Sequence, residues 1–182
     1  GRLLDSLDDL KLADDTVVVY SSDNGYFLGE RGLGDKRALY EEGLRIPFIV
    51  RYPRLFPKGK LVDEMVINQD LAPTFLDLAG LPAHPAMHGA SFKDLARGNK
   101  PADWRTSFLT YYRKELGDTP TCHGIRTDSA KLIVYPKHPE WTEVYDLKSD
   151  PYELTRLPAD GPLAASLKAE LDKQMKAVGF KP

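Results

Sequence analysis

The period of the apolar positions changes along the chain. Leu3, Leu4, Leu7 and Leu10 recur at helical spacing, which predicts an amphipathic helix over residues 2–12. Residues 16–21 follow as a short continuous apolar run rich in β-branched side chains. That is the pattern of a strand covered on both faces, as in a parallel sheet with helices on each side. Residues 22–36, with Gly25, Gly29, Gly32 and Gly34, read as loop, and residues 37–43 as one or two helical turns. A second apolar strand spans 46–52, entered at Pro47 and closed by Pro53. After a connection with a short extended piece at 65–67, Asp70 caps a helix that tolerates Pro73 in its first turn. Leu71, Phe75, Leu78 and Ala79 are its expected buried stripe, and Gly80 suits the position just past its end. A short helix over 91–96 precedes Gly98.

Near residue 104 the pattern changes to short strands separated by turn residues. Residues 107–113, 122–127, 131–135 and 141–145 read as four short strands, with a hairpin-like turn at 127–130. Asp150-Pro151 is a break, and Leu163, Leu167, Leu171 and Met175 predict a final amphipathic helix over 163–178. The expected fold is therefore α/β over residues 1–103, a sheet flanked by helices. A small four-stranded antiparallel subdomain with a C-terminal helix follows over 104–182.

Composition narrows the function classes. The chain has 182 residues, 42% hydrophobic and 29% charged, with a net charge of −2. That is globular, with neither the basic field of a nucleic-acid binder nor a polybasic membrane tail. No apolar run approaches the roughly 20 residues that span a bilayer. Cys122 is the one cysteine, so no internal disulfide is possible and the compartment stays open. The chain opens Gly1-Arg2-Leu3, already inside a helical pattern. The expectation is a piece of a longer polypeptide.

The candidate chemistry lies in SSDNGYFLGERGLGDK, residues 21–36. Asp23 and Asn24 sit just past the C-terminal end of the first strand, the edge where open α/β sheets bind ligands. A carboxylate and an amide carbonyl are hard oxygen donors that suit Ca²⁺ or Mg²⁺ better than zinc. Asn-Gly is also a common turn dipeptide, and taken alone the tripeptide favours a turn. Both readings hold together if the turn aims the two side chains at an ion. Calcium takes about six to eight oxygens, so two donors make an incomplete site. Asp14 and Asp15 lie at the far end of the strand, and Asp70 is a helix cap, so the missing acids are expected outside this chain. Arg31, Lys36 and Arg37 make the loop locally basic. Metal donors beside cations favour a divalent anion such as a phosphate or sulfate ester.

These segments resemble the C-terminal half of a type I sulfatase catalytic domain, in the alkaline phosphatase superfamily. The resemblance runs from SSDNG through LGERGLGDKRALYEEGLRIPFIVRYP, NQDLAPTFLDLAG, MHGASF, GIRTDSAKLIVY and VYDLKSDPYEL. It covers most of residues 15–175, and within the family is nearest to sugar sulfatases such as N-acetylglucosamine-6-sulfatases and iduronate-2-sulfatases. The resemblance implies that Asp23 and Asn24 are calcium ligands and that Lys36 contacts the substrate sulfate. Glu41, Glu42, Arg45 and Pro47 fall at supporting positions.

The family's nucleophile is a formylglycine made from Cys or Ser in a C-x-P-x-R motif, which the resemblance places upstream of this chain. The first acidic calcium ligands and the catalytic histidines lie there too. Cys122-His123-Gly124-Ile125-Arg126 has C-x-x-x-R spacing, but Gly124 stands where the motif needs Pro, so Cys122 is read as structural. His123 is a possible substrate contact on a strand that borders the pocket in sulfatases, against the plainer reading of a satisfied or exposed histidine. Where many related sugar sulfatases carry G-E-H-G, this chain has Gly29-Glu30-Arg31-Gly32, which makes Arg31 a candidate for altered substrate preference. His84 and His88 read as surface residues, and Trp104 and Trp141 as packing anchors.

The implied protein is a Ca²⁺-dependent sulfuric ester hydrolase acting on a sulfated sugar through a covalent intermediate. Its missing N-terminal part is its natural partner, and a periplasmic, secreted or lysosomal location is implied at the family level. By itself, the chain is expected to be inactive. The alternatives are a phosphodiesterase or phosphonate monoester hydrolase of the same superfamily, and a non-catalytic homologue that binds sulfated glycans.

Overall fold

The computed structural model describes residues 1–115 and 119–181. In chain order the elements are α1 (Arg2–Asp9), β1 (Val18–Ser21), β2 (Phe27–Leu28), β3 (Gly34–Asp35), α2 (Glu41–Leu44) and β4 (Phe48–Arg51). Then come α3 (Leu71–Leu78), α4 (Lys93–Arg97), β5 (Ser107–Tyr112), β6 (Cys122–Thr127), β7 (Ala130–Val134), β8 (Glu143–Asp146) and α5 (Pro162–Ala177). The chain forms two compact units, and the division is not simply sequential. One unit takes Gly1–Asp23 and Ile46–Trp104; the other takes Asn24–Arg45 and Arg105–Pro182.

In the first unit, β1 and β4 pair antiparallel, Val18 facing Arg51 and Ser21 facing Phe48. The expected parallel neighbour is therefore not what β1 has among the described residues. Alternation splits β4 between two environments. Phe48 and Val50 pack with Phe92, Leu95 and Trp104, whereas Ile49 and its partner Tyr20 are each 63% exposed. Trp104 is a packing anchor, but of this unit rather than of the C-terminal subdomain, and its indole N–H donates to Met65 O at 3.0 Å. The predicted helix after Asp70 forms, but a different stripe is buried. Pro73 and Thr74 face inward and Phe75 is 46% exposed. Thr74 explains the rotation: its hydroxyl donates to Asp70 O and accepts the Phe92 amide, which docks the next segment on that face. Asp70 is fully buried, and its carboxylate accepts the amides of Ile67 and Ala90. In α1 no residue is buried, and Leu3 and Leu10 lie open.

In the second unit, β5-β6-β7-β8 form an antiparallel sheet, as the four short strands and their turn residues predict. On one face Ile125, Ala130, Leu132 and Val144 meet Ala164, Leu167 and Leu171 of α5. On the other, Cys122, Ile133, Tyr135 and Tyr145 meet Leu39, Tyr40 and Leu44. Residues 24–45 are thus the cover of this sheet. Each fully buried aliphatic side chain in these layers contributes about 1.5–3 kcal/mol of hydrophobic stabilisation.

Candidate active site

Residues 24–45 form a closed excursion. The Gly25 amide donates to Gly43 O at 3.0 Å, joining the start of the loop to α2. Only glycine fits there: a Cβ on Gly25 would lie 2.0 Å from Glu42 O and 2.8 Å from Arg45 O. Between these ends, β2 and β3 make a small antiparallel hairpin, Phe27 opposite Asp35 and Leu28 opposite Gly34. Phe27 is buried edge-on against Tyr40, which roots the hairpin.

The structure places the candidate ligands at the mouth of this excursion. Asp23 is exposed just after β1, and its carbonyl accepts the Asn68 side-chain amide at 2.6 Å. Asn24 is partly buried and donates its amide N–H to Gly25 O at 2.7 Å. That bond orients the side-chain amide. The donor pair, one carboxylate and one amide oxygen, fits a hard cation. Among the described residues no group of three or more His, Cys, Asp or Glu side chains could hold a metal.

Lys36 is exposed, directly after the hairpin. Its neighbour Asp35 has φ 69° and pairs with Arg37. A non-glycine residue in the left-handed region is held there only when its surroundings over-determine it. Arg31 has φ 57° and shows how this is done. Its guanidinium donates to Glu153 O at 2.9 Å and Tyr152 O at 2.5 Å, lies 3.4 Å from Glu42 and from Glu153, and stacks 4.1 Å over Tyr40. Nη1 and Nη2 of Arg31 therefore tie the loop to residues 152–153, while Nε holds Glu42.

His123 is 6% exposed, on the sheet face opposite to Cys122, beside Phe180. Burial lowers its pKa, with Asp172 acting weakly the other way, and its Nδ1 has no hydrogen-bond partner. Cys122 is buried, and desolvation reinforced by Glu143 pushes its thiol up to about 12. A thiol in that state is a core side chain and a poor nucleophile. His84 and His88 are exposed.

The sheet face under residues 24–45 holds a set of buried charges of which sequence reading singled out only Glu41, as a supporting residue. Lys131, 1% exposed, lies 2.7 Å from Glu41 and 2.5 Å from Glu153. Arg126 lies 3.1 Å from Glu41, and the Glu41 amide donates to the Glu153 carboxylate at 2.9 Å. Burial works to raise the Glu41 pKa, but Arg126 and Lys131 outweigh it and leave it lowered. For Glu153 desolvation wins, and its pKa is raised despite Lys131. Nearby, buried Glu143 accepts the hydroxyls of Tyr40 at 2.9 Å, Tyr135 at 2.8 Å and Tyr145, and pairs with Arg156 at 3.2 Å. Desolvation and that carboxylate raise all three tyrosine pKa values. These residues except Tyr145, with Pro120 and Trp141, line a cleft of about 330 Å³. The signal for Lys131 was a lysine at a core-facing position of an apolar strand, and for Glu153 an acid just after Asp-Pro.

Comparison with known proteins places this geometry in a family. Residues 29–180 match the C-terminal family model of N-sulphoglucosamine sulphohydrolase. The chain is 43% identical to an N-acetylglucosamine-6-O-sulfatase of Bacteroides thetaiotaomicron, covering 86% of this chain and 29% of that protein. It is 31% identical to the N-acetylglucosamine-6-sulfatase of Capra hircus, over 79% of this chain and 31% of that one. A solved structure of a protein in complex with its substrate D-glucosamine-2-N,6-O-disulfate superposes with a TM-score of 0.90 at 36% identity. It covers 98% of this chain and 38% of that one. The chain thus spans roughly a third of the length of these relatives. The alkaline-phosphatase-like fold expected from the sequence accords with these neighbours. The chain belongs to the sulfatase family, as a C-terminal portion that corresponds to the C-terminal part of N-sulphoglucosamine sulphohydrolase.

Proposed function

We propose that the protein to which this chain belongs hydrolyses sulfate esters of an amino sugar. The observation that carries this reading is the 43% identity to an N-acetylglucosamine-6-O-sulfatase across 86% of the chain. In this reading Asp23 and Asn24 supply two oxygen ligands to a calcium ion. Such an ion polarises a sulfate oxygen when bound. Lys36 stands on the exposed end of the rooted hairpin and neutralises charge on the bound sulfate. Arg31 acts as the tie that holds the loop, since its guanidinium is spent on residues 42, 152 and 153. His123 packs against Phe180, on the sheet face away from this loop, which supports a structural part for it. The nucleophile, a formylglycine from Cys or Ser, belongs to the part of the enzyme outside this chain. The division at residues 103–104 enters the proposal as the boundary between the catalytic α/β domain and its antiparallel subdomain. A location outside the cytoplasm belongs to the same reading; among the described residues no helix is long and apolar enough to cross a membrane.

The test uses the full-length protein, assayed on N-acetylglucosamine-6-sulfate, an aryl sulfate, an aryl phosphate and a phosphonate monoester. Release of sulfate with preference for the 6-sulfated sugar is the expected result. Preference for the phosphorus esters would transfer the assignment to the phosphonate hydrolase branch. Binding of the sulfated sugar without turnover, with neither C-x-P-x-R nor S-x-P-x-R encoded upstream, would make the protein a glycan-binding homologue.

A further inference from the structure

We propose that Glu41, Lys131 and Glu153 form a positioning device that aims Asn24 and Lys36. This rests on the sulfatase reading above. The physical connection is continuous. Lys131, on β7, holds Glu41 at 2.7 Å and Glu153 at 2.5 Å. Glu41 opens α2, and Glu153 also accepts the Glu41 amide at 2.9 Å, so the first turn of α2 is gripped at side chain and backbone. Within α2, Gly43 O accepts the Gly25 amide at 3.0 Å, and Gly25 directly follows Asn24. In the hairpin turn between β2 and β3, Arg31 takes Glu42 and Glu153 at 3.4 Å each and the carbonyls of residues 152 and 153. The base of the loop and the turn of its hairpin are therefore both referred to Glu153.

Fold stability alone does not require such a device. Burying ions costs desolvation that their attraction only roughly offsets, and well-packed apolar side chains of similar size often serve as well. What an ion cluster adds is a defined place for each group. Carboxylates shared between fixed cations allow one arrangement, where apolar contact allows sliding. The local backbone calls for this: Arg31, in the hairpin turn, and Asp35, in β3, hold left-handed φ values of 57° and 69°. Relaxation of that backbone would carry Lys36 with it. Tyr40, the residue before α2, is fastened separately to Glu143, so loss of the cluster need not unfold the cover.

The experiment compares Lys131→Met, Lys131→Arg and Glu41→Gln with the wild type in the full-length enzyme. Circular dichroism reports folding, calorimetry the calcium dissociation constant, and steady-state kinetics on an aryl sulfate kcat and KM. Folded Lys131→Met is expected to bind calcium about tenfold more weakly, the range for a lost outer-shell partner. Its kcat is expected to fall about tenfold or more through misplacement of Lys36, with KM changing less. Lys131→Arg is expected to recover part of both losses. A folded Lys131→Met with wild-type calcium affinity and kcat, only melting earlier, would overturn the proposal. If Lys131→Met does not fold, the near-isosteric Glu41→Gln decides by the same two readouts. A wild-type enzyme that releases no sulfate would sink the sulfatase reading itself, and this is seen before any variant is made. Calcium affinity then still reports whether the cluster positions Asn24.

Discussion

Lys36 and Arg31 sit in the same glycine-rich loop and have opposite fates. Arg31 is only 17% exposed at its side chain and is surrounded by acceptors, whereas Lys36 is exposed at the hairpin end. In sequence both are basic residues of one loop, and nothing in their spacing separates them. The difference is tertiary: residues 152 and 153 arrive beside Arg31 from over a hundred positions away. The proposed role of Lys36 makes a sharp prediction. In the full-length enzyme, Lys36→Ala should lower kcat by roughly a hundredfold to a thousandfold, the scale of removing one charge-stabilising group. Its melting temperature should stay near the wild type, because an exposed side chain contributes little to the core. Near-normal turnover in this variant would remove Lys36 from the mechanism.

At the scale of elements, the decisive contact is that of α2 with the sheet face of β6 and β7. Two measurements probe it. Gly25→Ala would press a methyl group into Glu42 O, 2.0 Å away, and into Arg45 O. Neither backbone carbonyl can swing aside as a side chain would, so a loss of about 2–3 kcal/mol is expected in urea unfolding. Unchanged stability would mean that the Gly25–Gly43 closure is not a fixed feature. The second concerns pH. Glu41 has a lowered pKa in the folded chain, so it binds its proton less readily there than when unfolded. Its contribution is thus present above the ordinary glutamate range and is lost as pH falls through the depressed folded value. The stability difference between wild type and Glu41→Gln should be widest near neutrality and shrink below the glutamate range. A difference that grows on acidification would contradict the ion-pair assignment. Glu153, raised by burial, has the opposite sign, so Glu153→Gln should narrow its deficit as pH rises.

For the whole molecule, the two units differ in how well they close on themselves. The second has a sheet covered on both faces by its own residues. The first leaves Tyr20 and Ile49 paired and open on one sheet face, and Leu3 and Leu10 open on α1. Apolar surface of this kind marks an interaction face. The 182-residue chain studied alone should therefore self-associate as concentration rises, which sedimentation velocity would register, and Ile49→Lys should reduce the effect. On the proposed reading, the same preparation should release no sulfate and bind calcium more weakly than micromolar, since Asp23 and Asn24 would supply only two of the roughly six to eight oxygens the ion takes. Micromolar affinity by calorimetry would show that the ligand set is more complete than Asp23 and Asn24.

Local physics makes part of this protein legible from sequence. Short runs of strand-forming residues bounded by turn residues over 107–146 specify a meander of strands, and β6, β7 and β8 are buried on both faces rather than alternating. The four-apart leucines of α5 specify its buried stripe. Other features depend on what comes near in space. Thr74 turned α3 away from its expected stripe through two hydrogen bonds, one of them to Phe92. The continuous apolar run of β1 resembles a strand buried on both faces, yet the pairing with β4 is antiparallel and one face is open. Above all, Glu41, Arg126, Lys131 and Glu153 are scattered charges in sequence and one buried cluster in the fold. Hydrophobic period is a property of neighbouring residues and can be read along the chain. Compensation of buried charge joins residues over a hundred positions apart, and only tertiary structure decides which acid meets which base.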